Sequence, residues 1–186
     1  MHWNAVNGVQ IGEQPVSALL RDRNRAGSGR VGMVELFFDL VFVFAVTQLS
    51  HTLLAELTFD NLVRVRLLFL AVWWVWMYTA WTTNWLDPEQ WPVRICLFAL
   101  TIAGLFLSMS IPHSFAERGM VFAAAYSSMQ VGRTLFVIWV VRRTPGRLRN
   151  NFQRIGVWLA LSGLCWIAGG LSEPGARLAW WTLALG

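Results

Sequence analysis

Residues 34–54 read VELFFDLVFVFAVTQLSHTLL, an apolar stretch that contains two carboxylates. As a helix rising 1.5 Å per residue, it is long enough to cross a hydrocarbon core of about 30 Å. Glu35 and Asp39 are four residues apart, which places them on one helical face. Glu35 lies near the entry of the span, whereas Asp39 lies about 7 Å deeper. An unpaired charge at that depth is costly, so we expect Asp39 to be protonated or paired.

The composition is that of an integral membrane protein. Hydrophobic residues make up 56% of the chain and charged residues 13%, against about 25% charged residues in soluble domains. All 15 basic residues are arginine. Because no basic face with interleaved aromatics lies outside the apolar stretches, we expect no nucleic-acid partner. The fold class predicted is all-α, a polytopic membrane helix bundle in contact with the lipid bilayer.

Apolar segments divide the chain into five complete transmembrane helices and the start of a sixth. Residues 1–30 form a polar, arginine-rich tail, and residues 31–186 form the transmembrane bundle. The sixth segment is too short to span a membrane, which indicates the N-terminal part of a longer protein. In the fifth span, Gly163, Gly169 and Gly170 are expected to allow close helix approach. The predicted spans are 34–54, 67–85, 93–111, 120–141 and 155–171, followed by 176–186.

The arginine distribution predicts the orientation. If the N-terminus is cytoplasmic, ten arginines lie in the tail and inner loops and four lie in the outer loops. Positively charged residues favour the cytoplasmic side, so we predict a cytoplasmic N-terminus.

This orientation suggests a partner for Asp39. The fourth span carries Tyr126, Gln130 and Arg133 at i, i+4 and i+7, on one face, with Arg133 about 12 Å below the inner surface. Asn84 ends the second span on the same side. We therefore hypothesise that Arg133 neutralises Asp39 within a polar site in the cytoplasmic half of the membrane. An ion pair that only fixes helix packing is the alternative. The predicted site consists of Glu35, Asp39, Asn84, Gln130 and Arg133.

Two further groups of residues favour structural roles. An aromatic face of the second span is typical of packing and interfacial anchoring, although it could also form the wall of a ligand path. Two histidines and two carboxylates occupy the outer connections, but their spacing is not that of metal ligands, so we expect solvated loop residues and no metal or cofactor. The aromatic face consists of Trp74, Tyr78, Trp81 and Trp85, and the outer group of His51, Glu56, His113 and Glu117.

Three segments resemble the bacterial low temperature requirement A (LtrA) family. They are VELFFDLVFVFAVTQL at residues 34–49, WTTNWLDP at 81–88 and QVGRTLF at 130–136. The resemblance implies a bacterial inner-membrane protein about twice this length, associated with growth in the cold. The lone N-terminal half is then expected to pair with the missing C-terminal half or with another copy of the chain.

Several functions fit these features. The leading hypothesis is a transporter or channel-like protein for a small ion or solute, in which the Asp39–Arg133 pair gates or couples movement. The first alternative is a membrane-embedded enzyme that acts on a lipid or isoprenoid phosphate held by Arg133. The sequence shows no nucleophile with a partnered base, which favours a protein that is not an enzyme and names no catalytic residue. The second alternative is a structural or sensory membrane protein.

Overall fold

A computed structural model describes residues 33–84, 86–87, 90–141 and 147–185. The predicted polar tail, residues 1–30, lies outside the described residues, as do Trp85 and residues 142–146 of the basic loop. The described helices are α1 (Met33–Ala55), α2 (Phe59–Thr83), α3 (Trp91–Ser110), α4 (Gly119–Val141), α5 (Arg147–Leu171) and α6 (Pro174–Leu185), with a 3₁₀ turn, Ile111–His113, after α3.

The architecture confirms the predicted all-α membrane bundle. Within the described residues, α1 to α5 are long and apolar enough to cross a membrane, whereas α6 has only 12 residues. Helices suit this environment because each backbone N–H and C=O group finds its partner within the same segment. Hydroxyl side chains also find hydrogen-bond partners within their own helix. Thr47 donates to the Val43 carbonyl at 3.0 Å and Thr101 donates to the Leu97 carbonyl at 2.8 Å.

Helix α2 begins at Phe59, eight residues before the predicted start of the second span. Its first turn is polar and is stabilised locally. The Thr58 hydroxyl accepts a hydrogen bond from the Asn61 amide at 3.3 Å, which caps the helix. Arg64 and Asp60 then form an i, i+4 ion pair at 2.6 Å. Hydropathy locates the apolar part of a helix and misses such polar extensions.

Helix α4 lies at the centre of the packing. It packs most extensively against α5, and it also contacts α3 and α2. Helix α1 packs against α3 and α2, while α6 packs against α5. Residues of α4 therefore face three neighbouring helices, which places Arg133 in the interior.

Small residues bring α5 close to its neighbours, as the sequence predicted. The Ser127 hydroxyl of α4 donates to the Gly163 carbonyl at 3.2 Å. A Cβ added at Gly170 would lie 3.1 Å from the Met120 Cα, and one added at Gly169 would overlap α6. These three glycines therefore allow the close approach of α5 to both neighbours.

The bundle has an aromatic core and an apolar outer surface. Phe122, Trp166 and Trp181 are fully buried between α4, α5 and α6. Large apolar side chains also project outward from every spanning helix, as expected for a surface in contact with lipid acyl chains. Examples of these outward-facing residues are Leu40, Trp73, Phe98, Leu135 and Trp158.

Candidate functional site

Arg133 is the buried cation at the centre of the bundle. Its side chain is only 3% exposed and reaches from α4 to α2. Nη1 donates to the Thr79 hydroxyl at 3.0 Å and to the Val75 carbonyl at 3.3 Å. Its guanidinium also lies over the ring of Tyr78, 5.3 Å from the centroid. One turn of α2 therefore holds the guanidinium through a carbonyl, a hydroxyl and an aromatic face.

The hydroxyl of Thr79 is positioned by its own helix. It donates to the Val75 carbonyl at 2.8 Å, so its lone pairs remain available to Arg133. The bonded groups polarise one another in this low-dielectric interior, which strengthens the arrangement.

Two side chains of α4 continue the polar row from Arg133. Nη2 of Arg133 donates to the Gln130 amide oxygen, and Gln130 Nε2 donates to the Tyr126 hydroxyl at 3.1 Å. Gln130 is 1% exposed and Tyr126 is 2% exposed. The predicted shared face of these three residues is therefore a buried hydrogen-bonded row, about 10 Å long at 1.5 Å per residue.

The row ends at the aromatic core. The ring of Trp166 lies 4.5 Å from that of Tyr126, centroid to centroid. In the described parts of the chain, Nε1 of Trp166 is buried without a hydrogen-bond partner.

The structure does not contain the predicted ion pair between Asp39 and Arg133, because these two described residues form no salt bridge with each other. The Asp39 carboxylate instead accepts a hydrogen bond from Trp76 Nε1 at 3.0 Å, and its side chain is exposed on the bundle. Asp39 thus contacts α2 at Trp76, and Arg133 contacts it at the Val75 carbonyl and the Thr79 hydroxyl. The two side chains contact the same turn of α2, and within the described residues they form no salt bridge with each other.

The other two predicted site residues lie near helix ends. Glu35 is half-buried in the first turn of α1, where its negative charge suits the helix dipole. Asn84 is exposed and caps the end of α2 through its backbone amide, which donates to the Thr82 carbonyl. In the described part of the chain, the hydrogen-bond acceptors of the Arg133 guanidinium are Val75, Thr79 and Gln130, and neither Glu35 nor Asn84 is among them.

Sequence reasoning missed the contribution of α2 to this site. Thr79 and Tyr78 are the residues of α2 whose side chains contact Arg133, and only Tyr78 stood out in the sequence, as part of an aromatic face. The available signal was that Tyr78 and Thr79 lie well inside the predicted second span, 67–85, where a buried cation needs neutral acceptors and aromatic faces.

Arg177 of α6 was also missed, since it was counted as an outer-loop arginine. It is 5% exposed, and its guanidinium donates to five carbonyls at 2.8–3.4 Å. Three of these carbonyls end α5 and two belong to the connection before α4. Arg177 therefore ties α6 to both segments. The carbonyls are those of Gly169, Gly170 and Ser172, and of Ser114 and Ala116.

The outer residues considered as a metal group are spread over the surface. His51, Glu56, His113 and Glu117 are all exposed. Across the described ranges, no three histidine, cysteine or carboxylate side chains are close enough to hold a metal ion.

A furrow of about 680 Å³ lies between α3 and α4, and it is open on the outside of the bundle. Arg133 is part of its lining, beside Cys96, Met129 and Gly132. A second furrow of about 550 Å³ shares Ala99, Ala103 and Ser128 with the first and runs toward the other end of the same helices. We call this continuous surface the α3–α4 furrow.

The comparisons with known proteins place the chain in a family. A family model described as "Bacterial low temperature requirement A protein (LtrA)" matches residues 30–186. An uncharacterized protein of Rhizobium meliloti (strain 1021) is 44% identical over 151 residues, which are 81% of this chain and 37% of the relative. The chain thus spans little more than a third of that relative's length. No solved structure matches the chain.

Proposed function

The chain belongs to the bacterial low temperature requirement A family, and we propose that it is a transporter or channel-like membrane protein for a small ion or solute. Its binding site is the cluster of Tyr78, Thr79, Gln130 and Arg133. The observation that carries this proposal is a buried guanidinium inside the bundle whose hydrogen-bond acceptors, within the described residues, are all neutral.

The charge of Arg133 is the main reason for this choice. Val141 ends α4 eight residues after Arg133, so the guanidinium lies about 12 Å inside the span. A cation at that depth is costly, and intramembrane charges commonly mark the paths of ions and solutes. Neutral acceptors satisfy the guanidinium geometrically and leave its charge uncompensated. The site therefore favours an anionic solute.

Asp39 has the second role in the proposal. Its carboxylate and the Arg133 guanidinium hold the same turn of α2 through Trp76 on one side and Val75 and Thr79 on the other. A shift of α2 alters both contacts together. We propose that α2 couples the two charges during transport, in place of a direct ion pair.

The location and assembly follow from the family and the charge distribution. We propose an inner-membrane protein with a cytoplasmic N-terminus, because the tail and the inner connections carry ten arginines, against four near the other ends of the spans. The matched relative is much longer than this chain. Its remaining segments, or a second copy of this chain, are the proposed partners for the bundle.

The test is flux through proteoliposomes that contain the protein, measured for a panel of inorganic and organic anions and cations. Arg133→Met removes the charge, Arg133→Lys retains it without the planar donor fork, and Asp39→Asn removes the second charge. Arg66→Met is the matched control, since Arg66 is exposed on the same bundle. We expect anion flux in the wild type and the control, with loss in Arg133→Met. Equal flux in Arg133→Met and the wild type, or no flux under any gradient, refutes the proposal.

A second candidate function rests on the α3–α4 furrow. This furrow is open on the outside of the bundle and reaches Arg133, as a site for a lipid or isoprenoid phosphate requires. The candidate is a membrane-embedded enzyme acting on such a phosphate. Incubation with a labelled lipid phosphate, followed by mass spectrometry of the products, separates it from transport, because only an enzyme changes the mass of the lipid.

A further inference from the structure

We infer that the α3–α4 furrow binds a long-chain carboxylate, with its apolar chain along the furrow and its carboxylate at Arg133. This inference rests on the proposed function, because it names the class of anionic solute that the Arg133 site takes. The solute enters sideways, between α3 and α4, from the lipid.

The dimensions of the furrow suit a single apolar chain. From Arg133 the furrow runs past Ser128 to Met120 on α4, about 20 Å at 1.5 Å per residue. The second part continues to Phe106. Its volume of about 680 Å³ lies in the range of pockets that hold small organic ligands.

The lining of the furrow explains why the proposed ligand is amphiphilic. Small side chains at Ala99, Ala103 and Gly132 open the space between the two helices, and larger apolar residues form its walls. Among the described residues that line the first part, Arg133 is the one charged side chain. An apolar ligand with one negative charge therefore complements the surface.

The hydrogen bonds of Arg133 allow an anion to bind there. The acceptors on Thr79 and Gln130 are a neutral hydroxyl and a neutral amide. A carboxylate that replaces either one forms a charge-assisted bond, which is stronger than a bond to a neutral group. The same exchange compensates the buried charge.

The depth of Arg133 favours a single-chain carboxylate over a phospholipid. The guanidinium lies about 12 Å inside the span, so a whole phosphate headgroup would have to leave the interface. A carboxylate is a smaller polar group to move to that depth. We therefore assign the site to a fatty-acid-like anion.

The experiment is quenching of tryptophan fluorescence by dibromostearate, with the full chain in phosphatidylcholine nanodiscs at alkaline pH. Phe106 lines the second part of the furrow, so Phe106→Trp places a reporter beside the chain on the side of Arg133 where the bromines lie. The methyl ester of the same acid is the matched probe, since it partitions into lipid but carries no charge. We expect saturable quenching by the acid in Phe106→Trp, a linear background with the ester, and a smaller saturable part in the protein that keeps Phe106.

Two variants connect this signal to the site. Arg133→Met should weaken the apparent affinity by about tenfold or more, which corresponds to about 1.4 kcal/mol. Gly132→Leu fills the furrow, because a Cβ at Gly132 meets no atom within 4 Å and the longer side chain extends into that space. Gly175→Leu is the control, since Gly175 is equally unobstructed but lies on α6. If Arg133→Met does not fold, Gly132→Leu still tests the furrow.

The results separate this inference from the proposed function. Saturable binding that Gly132→Leu removes and Gly175→Leu retains supports the inference, even if no flux is found and transport is refuted. Anion flux without saturable dibromostearate binding refutes the inference and leaves transport in place. Equal quenching by the acid and its ester, or equal quenching in folded Gly132→Leu and the wild type, also refutes it.

Discussion

Replacing Gly169 by alanine tests the contact between α5 and α6 most directly. A Cβ at this position would overlap Cδ1 of Trp181 and lie 2.5 Å from its Nε1. Trp181 is fully buried, and its Nε1 donates to the Trp166 carbonyl at 3.0 Å. Phe122 lies 5.4 Å from the Trp181 ring, centroid to centroid. The indole therefore has no free space to move into, and shifting it breaks its hydrogen bond.

Three contributions determine the size of the Gly169→Ala effect. Overpacking in a close-packed interior costs about 1–3 kcal/mol, and loss of the indole hydrogen bond costs about 1 kcal/mol. The higher helix propensity of alanine offsets about 1 kcal/mol of this. We expect the free energy of unfolding to fall by about 2 kcal/mol.

The assay is equilibrium unfolding in mixed detergent micelles, followed by circular dichroism, with Gly132→Ala as the matched control. Because nothing lies within 4 Å of a Cβ at Gly132, that change should leave stability unaltered or raise it by up to about 1 kcal/mol. If Gly169→Ala is as stable as Gly132→Ala, the described packing of Trp181 against α5 is incorrect.

Three other experiments test separate parts of the structure. Arg177→Met leaves carbonyls at the end of α5 without their donor and should lower the free energy of unfolding by about 3 kcal/mol, with Arg177→Lys recovering part of the loss; unchanged unfolding of both variants would contradict the carbonyl cage. Asp39→Ala and Trp76→Phe remove the two partners of one hydrogen bond at an exposed site, so a double-mutant cycle should give a coupling of about 1 kcal/mol; additive effects would exclude that bond. In a background without the native cysteines, Glu117→Cys should react with a membrane-impermeant maleimide on intact cells, and Asn151→Cys only after permeabilisation; the reverse pattern would overturn the proposed orientation.

The positions of the spans were predictable because hydropathy depends on local composition. The predicted span 34–54 corresponds to α1 at Met33–Ala55, and the span 120–141 to α4 at Gly119–Val141. The starts of α2 and α5 were each placed eight residues too late. Both helices begin with polar residues outside the apolar core, where local capping and helix propensity, rather than hydropathy, determine the boundary.

The candidate site was predictable within one helix and not between helices. The spacing of Tyr126, Gln130 and Arg133 fixes their shared face, and the structure joins them by hydrogen bonds. The contact between Asp39 and Trp76 depends on how α1 and α2 are rotated about their axes, which spacing along one helix does not determine. Matching depth suggested a direct contact between Asp39 and Arg133, and it did not reveal that each of these side chains contacts α2.

Our proposal of an anion site rests on the burial of Arg133 among neutral groups. A carboxylate partner would have compensated the charge of Arg133. Removal of either residue of such a pair would then leave an uncompensated charge. Here Thr79 and Gln130 satisfy the geometry of the guanidinium without cancelling its charge. A residue retained only for packing would be replaced at lower cost by an apolar side chain. A positive charge without a carboxylate in the described cluster, bordering a furrow open on the outside of the bundle, is instead suited to attract an anion that comes and goes.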